Sequence, residues 1–253
     1  MTDLSTLFRL DDKRALVTGA GRGIGLLAAR ALAAYGAHVT LAARSETDIA
    51  AAADAIIKDG GRAEALVLDV TDTSAVRAVI EQAPAFDILV NNAGTNRPGP
   101  FVDVEPEAFD LVNALNVKAA FFVAQAVTRR LIAAGRPGSI INMSSQMGHV
   151  GAKDRTIYCT TKFAIEGMTK SMAVELAPHG IRVNSIGPTF IETPMTAPYF
   201  ENEDFKASVL SKIKLGRVGQ VEDLAGALIL LASDASGLMT GSSLLVDGGW
   251  TAE

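Results

Sequence analysis

The chain has 253 residues, 49% of them hydrophobic, and a formal net charge of -5 at pH 7. That length suits one large α/β core, and an acidic balance without clustered basic residues argues against nucleic acid as a partner. No apolar run approaches the roughly eighteen residues of a membrane span, and the opening stretch MTDLSTLFRLDDK has no leader core, so a cytoplasmic protein is expected.

Residues 14–18 form a short apolar strand that runs into glycines at 19, 21, 23 and 25 and then into the helical pattern LLAARALAAYG. A strand that ends in a glycine turn and opens a helix leaves free N–H groups at the positive end of the helix dipole, where a pyrophosphate can sit. The strict GxGxxG spacing is absent, because Ile24 stands where a glycine is required. What remains is TGxxxGIG, from Thr18-Gly19 to Gly23-Ile24-Gly25, which also suits a plain tight connection.

A second strand over 38–42 ends near the position that commonly carries an acidic residue in NAD sites. Here that position is Ala43, followed by Arg44 and Ser45. A guanidinium and a hydroxyl suit a 2′-phosphate, with Arg22 of the glycine turn as a second positive charge. NADP(H) is therefore favoured and NAD(H) stays open, while a solvated Arg44 and an Arg22 that only covers the turn explain the same residues. The alanine-rich stretch at 49–57 is a strong helix former. The third strand, 63–68, leads to Asp69, and the fourth, 86–90, to Asn91-Asn92-Ala93-Gly94.

The fifth strand, 138–143, is followed by Ser144-Ser145, and a helical segment then carries Tyr158 and Lys162 four residues apart, on one face. An ammonium beside a phenol favours the phenolate, each unit of depression being worth about 1.4 kcal/mol. Ser145 can hold a substrate oxygen while Tyr158 gives or takes its proton. Packing and capping account for the same residues taken alone. Cys159, the single cysteine, excludes an intrachain disulfide, and His38, His149 and His179 lack metal-ligand spacing. A sixth strand, 181–186, reaches Gly187-Pro188-Thr189, and a seventh covers 243–246. The alternation predicts one domain over 1–253, an α/β Rossmann-type doubly wound parallel sheet of about seven strands flanked by helices, with its ligand crevice at the carboxyl ends of the strands.

With TGxxxGIG, Asn91-Asn92-Ala93-Gly94 and Ser145-x12-Tyr158-x3-Lys162 in this order, the chain resembles the short-chain dehydrogenases/reductases from about Asp11 to Gly249. The resemblance implies hydride transfer between nicotinamide and a carbinol or carbonyl carbon, with Ser145, Tyr158 and Lys162 catalytic and Asn116 holding a water that links Lys162 to solvent. It implies cofactor contacts from Gly19, Arg22, Gly23, Ile24, Gly25, Arg44 and Ser45. Asp69 and Val70 would meet the adenine, Asn92, Ala93 and Gly94 would line the cofactor, and Tyr158 and Lys162 would lie against it. Pro188, Ile191 and Thr193 would stand beside the carboxamide. Thr189 and Thr161 depart from the glycine and serine frequent in the family.

A substrate lid is expected near 190–215, with Met195, Tyr199 and Phe200 as lid contacts or as its small core. The residues Asn96, Arg97, Gln146, His149, Arg155, Met195 and Tyr199 form a comparatively polar substrate set. A sugar, polyol or sugar acid is favoured, as in gluconate 5-dehydrogenase-like members. The alternatives are a 3-oxoacyl-carrier reductase docking through Arg129, Arg130 and Arg136, or a non-catalytic NADP-binding regulatory protein. The C-terminal segment resembles one that packs across a twofold axis, and its apolar run LAGALILLA points to a homotetramer or to burial within one subunit.

Overall fold

A computed structural model describes residues 4–253; residues 1–3, which fall in the stretch read as lacking a leader and in the domain expected over 1–253, lie outside the described residues. Seven strands form one parallel sheet: β1 (Arg14–Thr18), β2 (His38–Ala43), β3 (Arg62–Val67), β4 (Ile88–Asn91), β5 (Gly138–Met143), β6 (Ile181–Pro188) and β7 (Ser243–Val246). Their spatial order is β3-β2-β1-β4-β5-β6-β7, so the winding reverses between β1 and β4. Val17 pairs with Leu41 on one side and Val90 on the other. The crevice of a doubly wound sheet opens at such a switch point.

The helices in chain order are α1 (Gly23–Ala34), α2 (Glu46–Lys58), α3 (Thr73–Gln82), α4 (Pro106–Asn113), α5 (Ala120–Ala133), α6 (Thr156–Leu176), α7 (Ala197–Phe200), α8 (Glu203–Leu210) and α9 (Ala225–Ala232). Alternation along each strand divides the core in two. Ala15 and Val17 join Leu32 of α1, Ile49 of α2 and Leu228 of α9 on one face. Leu16 joins Ile80 of α3, Val127 of α5 and Ala173 of α6 on the other. The apolar run at 224–232 is explained within the subunit, since Leu224, Leu228, Ile229 and Leu231 are buried in the first of these clusters.

A π turn, Ala114–Ala119, joins α4 to α5 into one helix over Pro106–Ala133. By length and composition that helix is apolar enough to cross a bilayer, with a best-window mean hydropathy of 1.3, and half of that window is buried inside the protein. β6 extends two residues past its expected end because Gly187 and Pro188 pair with Leu245 and Val246. This carries Thr189 to the crevice, where its N–H donates to Val246 O. In the segment 190–215, Phe190 meets Phe200 and Phe205 edge-on, and it also meets Trp250.

Candidate active site

At the switch point the carboxyl ends of β1 and β4 are clasped together. Thr18 Oγ1 accepts the N–H groups of Asn92 (3.0 Å) and Ala93 (3.1 Å), while Asn92 Nδ2 donates to the carbonyls of Thr18 and Gly19. Thr18 therefore orients the turn, a role its short hydroxyl at a strand end could have signalled. The turn is as tight as its glycines allow: Gly19 has φ +65°, and a Cβ on Gly25 would lie 2.2 Å from Gly19 O. At the N-cap of α1, Arg22 makes no side-chain capping bond, which leaves first-turn N–H groups for an anion.

Arg22 and Arg44 are both exposed on the wall of the same cavity. Ser45 is the N-cap of α2, its hydroxyl accepting Asp48 N at 3.4 Å, so its oxygen already has a structural task. Asp48, unmarked by any motif, also lines the cavity. The hydroxyl and N–H of Thr71 hold the Asp69 carboxylate below its ordinary range, with a smaller contribution from Arg44. Val70 is buried beside it.

One continuous cavity of about 1010 Å³ runs from this end to the segment around Tyr199. Along it lie all the residues expected to hold the cofactor, from Gly19 through Asn92, Ala93 and Gly94 to Pro188, Ile191 and Thr193. Free helix-terminal N–H groups, two guanidinium groups and a volume at the upper end of ordinary ligand sites fit a dinucleotide phosphate.

Ser145, Tyr158 and Lys162 meet on this cavity. Ser145 Oγ lies 2.6 Å from Gln146 Oε1 and accepts Met147 N at 3.1 Å. Lys162 Nζ donates to Met143 O at 2.7 Å and sits 5.4 Å from the centre of the Tyr158 ring. The expected depression of the phenol is absent. Burial pushes Tyr158 up to about 12, only partly opposed by its hydrogen bond to Ser145 and by the charge of Arg155. Lys162 faces the ring rather than dominating the hydroxyl, and burial lowers its own value to about 8, with Glu166 opposing.

Asn116 lies on the π turn, a feature frequent at functional sites. Its Oδ1 accepts Thr95 N, and its Nδ2 donates to Thr95 O and to Thr161 Oγ1. The amide ties the loop after β4 to α6 at the turn that bears Lys162. Both Nδ2 protons are thereby used, while Oδ1 keeps a second acceptor site.

Of the expected substrate residues, Asn96, Arg97, Gln146, Arg155, Met195 and Tyr199 line the cavity, Arg97 and Met195 at exposed positions. His149 does not. The 3-10 turn Gln146–Gly148 carries it away, and its Nε2 lies 3.0 Å from Ser243 Oγ and 3.5 Å from Glu166 Oε1. Tyr199 lies beneath the Arg155 guanidinium and also meets Phe205, and Phe200 belongs to the same aromatic cluster with Phe190 and Phe205. Thr189 adds a hydroxyl to the wall. Arg130 donates to Ala83 O, and Arg136 pairs with Asp87 at the opposite end of the sheet, so two of the three arginines considered for carrier docking have structural partners.

The family model described as enoyl-(acyl carrier protein) reductase matches residues 19–251. L-xylulose reductase from Bos taurus is 40% identical over 244 residues, covering 96% of this chain and 98% of that protein. The crystal structure of a gluconate 5-dehydrogenase from Burkholderia cenocepacia, in complex with NADP and tartrate, superimposes with a TM-score of 0.94 at 39% identity, covering 98% of each chain. A short-chain type dehydrogenase/reductase from Mycobacterium marinum gives 0.94 at 41% identity, covering 99% of this chain and 100% of that one. With the Ser145, Tyr158 and Lys162 constellation at the mouth of a dinucleotide-sized crevice, the chain belongs to the short-chain dehydrogenase/reductase family.

Proposed function

We propose that the protein is an NADP(H)-dependent oxidoreductase that interconverts a secondary alcohol and a ketone on a sugar, polyol or sugar acid. The observation that carries this reading is the continuity of one cavity from Arg22 and Arg44 to Tyr158, with polar groups beyond. The named activities of the relatives support it. The hydride is the chemistry that the cofactor supplies when bound.

The chain's own residues do the rest. The glycine turn and the start of α1 hold the pyrophosphate, and Arg22, Arg44 and Ser45 receive the 2′-phosphate. Asp69 and Val70 flank the adenine, Asn92, Ala93 and Gly94 form the floor, and Pro188, Ile191 and Thr193 flank the nicotinamide end. Ser145 donates to the substrate oxygen. Tyr158, protonated at neutral pH, hands its phenolic proton to that oxygen in reduction. Lys162 holds the ribose and places a positive charge beside the phenolate as it forms. Asn116 fixes the turn of α6 that carries Lys162.

The segment 190–215, with α7 and α8, acts as the lid of one domain spanning 1–253. The protein works in the cytoplasm without nucleic acid or membrane partners. A homotetramer is supported by exposed apolar side chains on α4, α5, α6 and β7, including Phe109, Phe121, Phe163 and Leu245. A screen that follows NADPH absorbance over ketoses, polyols, sugar acids and short 3-oxoacyl esters tests the reading. Turnover confined to the esters, or NADPH binding without turnover on any member, would overturn it.

A further inference from the structure

We propose that the substrate carries a carboxylate and that Arg155 is the residue that selects it. This rests on the oxidoreductase reading and narrows its substrate class from sugars in general to polyhydroxy acids. Five charged side chains are buried among the described residues: Asp87, Arg155, Lys162, Glu166 and Asp247. Four have polar partners. Asp87 pairs with Arg136, Lys162 donates to Met143 O, Glu166 accepts from Ser185, and Asp247 accepts from Gly249 and Thr251.

Arg155 is the exception. Only 6% of it is exposed, its Nη1 has no hydrogen-bond partner, and none of the ion pairs among the described residues includes it. Its guanidinium lies 5.0 Å from the centre of the Tyr199 ring and 6.0 Å from that of Phe205. Ring faces attract a cation but accept no strong hydrogen bond from it, so a buried guanidinium held this way still lacks an anion.

The surroundings say which anion. Arg155 lies near Tyr158, away from the glycine turn that suits the cofactor phosphates. On the same cavity wall, one end of the Gln146 amide, Asn96 Oδ1 and Thr189 Oγ1 also lack partners. A planar guanidinium fork matches a carboxylate, and amide and hydroxyl groups match alcohols. That donor and acceptor set fits a small polyhydroxy acid, whereas a neutral ketose or polyol would leave the cation buried without a counter-charge.

The test uses the intact enzyme and its Arg155→Met and Arg155→Lys variants. Oxidation by NADP+ is measured over pentonates and hexonates and their matching neutral polyols, and calorimetry follows D-gluconate and D-glucitol binding to the NADPH-loaded protein, where no turnover occurs. The wild type should favour the acid by about 100-fold or more in kcat/KM, equivalent to about 2.8 kcal/mol at roughly 1.4 kcal/mol per decade. In Arg155→Met that ratio should fall to within about tenfold, Arg155→Lys should recover part of it, and gluconate binding should weaken in parallel. A wild type that prefers the neutral member, or a ratio that Arg155→Met leaves unchanged, overturns the inference while the oxidoreductase reading stands. Turnover of neither class, alongside reduction of 3-oxoacyl esters, overturns both.

Discussion

Gly25→Ala probes the tightest point of the glycine turn. An ideal Cβ there would lie 2.2 Å from Gly19 O and 2.6 Å from Asn92 Nδ2, whereas ordinary contact starts at 3.4 Å. Relief therefore requires the start of α1 and the turn to separate by about 1.2 Å, and both are backbone. Such a shift strains the two hydrogen bonds from Asn92 Nδ2 to Thr18 O and Gly19 O, worth about 1 kcal/mol each, and adds an overpacking cost of about 1–3 kcal/mol. Helix propensity returns at most about 1 kcal/mol. The net expectation is a loss of about 2–4 kcal/mol, or roughly 4–8 °C in Tm for a chain of this length. NADPH affinity should fall at least about 100-fold, because a displacement near 1 Å spoils the alignment of the turn. Urea denaturation and NADPH fluorescence titration measure the two effects. Gly167→Ala in α6 is the matched control: a Cβ there meets nothing within 4 Å, so it should be neutral or stabilising by about 0.5–1 kcal/mol. If Gly25→Ala stayed within about 0.5 kcal/mol of wild type with unchanged NADPH affinity, the steric account of the turn would be wrong.

Tyr158→Phe should lower kcat by about 100-fold to 10,000-fold with near-normal NADPH binding, and wild-type turnover in the variant would remove Tyr158 from the chemistry. Arg44→Asp should lower the NADPH-to-NADH ratio of kcat/KM by about 10-fold to 100-fold, a ratio that would not move if Arg44 were merely solvated. Lys162 carries its charge below about pH 8 and loses it above, so kcat/KM for reduction should fall along an alkaline limb centred near 8. Stability should move the other way. The unfolded lysine keeps its proton up to its ordinary value of 10.5, so between about 8 and 10.5 the unfolded chain binds more protons and this group favours the fold as pH rises. The urea midpoint of the wild type should thus gain on that of Lys162→Met between pH 7.5 and about pH 10, and a constant difference would contradict the burial assigned to Lys162.

Most strands were legible because a short apolar run stops at a residue with a separate purpose: Thr18 at the end of β1, Asn92 after β4, Ser144-Ser145 after β5. The helical spacing of Tyr158 and Lys162 was likewise enough to place both on the cavity. Their mutual effect was not, because a spacing reports neighbours and not depth, and depth governs the phenol here. His149 was misplaced for a related reason. Lying between Ser145 and Tyr158 in the chain says nothing of direction, and one 3-10 turn sends its ring to Ser243 and Glu166. The bond that positions Lys162 and two of the three that hold Asn116 run to backbone atoms of Met143 and Thr95, which carry no side-chain signature. Nor does the unpaired state of Arg155, which depends on what fails to approach it in space.

The π turn within the helix Pro106–Ala133 makes the register of that helix a matter of counting. A regular α-helix advances about 100° per residue, so losing a single residue between 114 and 119 would let the segment relax to an even pitch. The flanks would keep nearly their present faces, because a turn closed by i→i+5 bonds holds one residue more than a regular turn for almost the same rotation. What would be lost is the widened turn itself, from which Asn116 reaches Thr95 and Thr161. Loss of one residue here should therefore disturb the placement of Asn116 while α5 keeps its packing on the sheet.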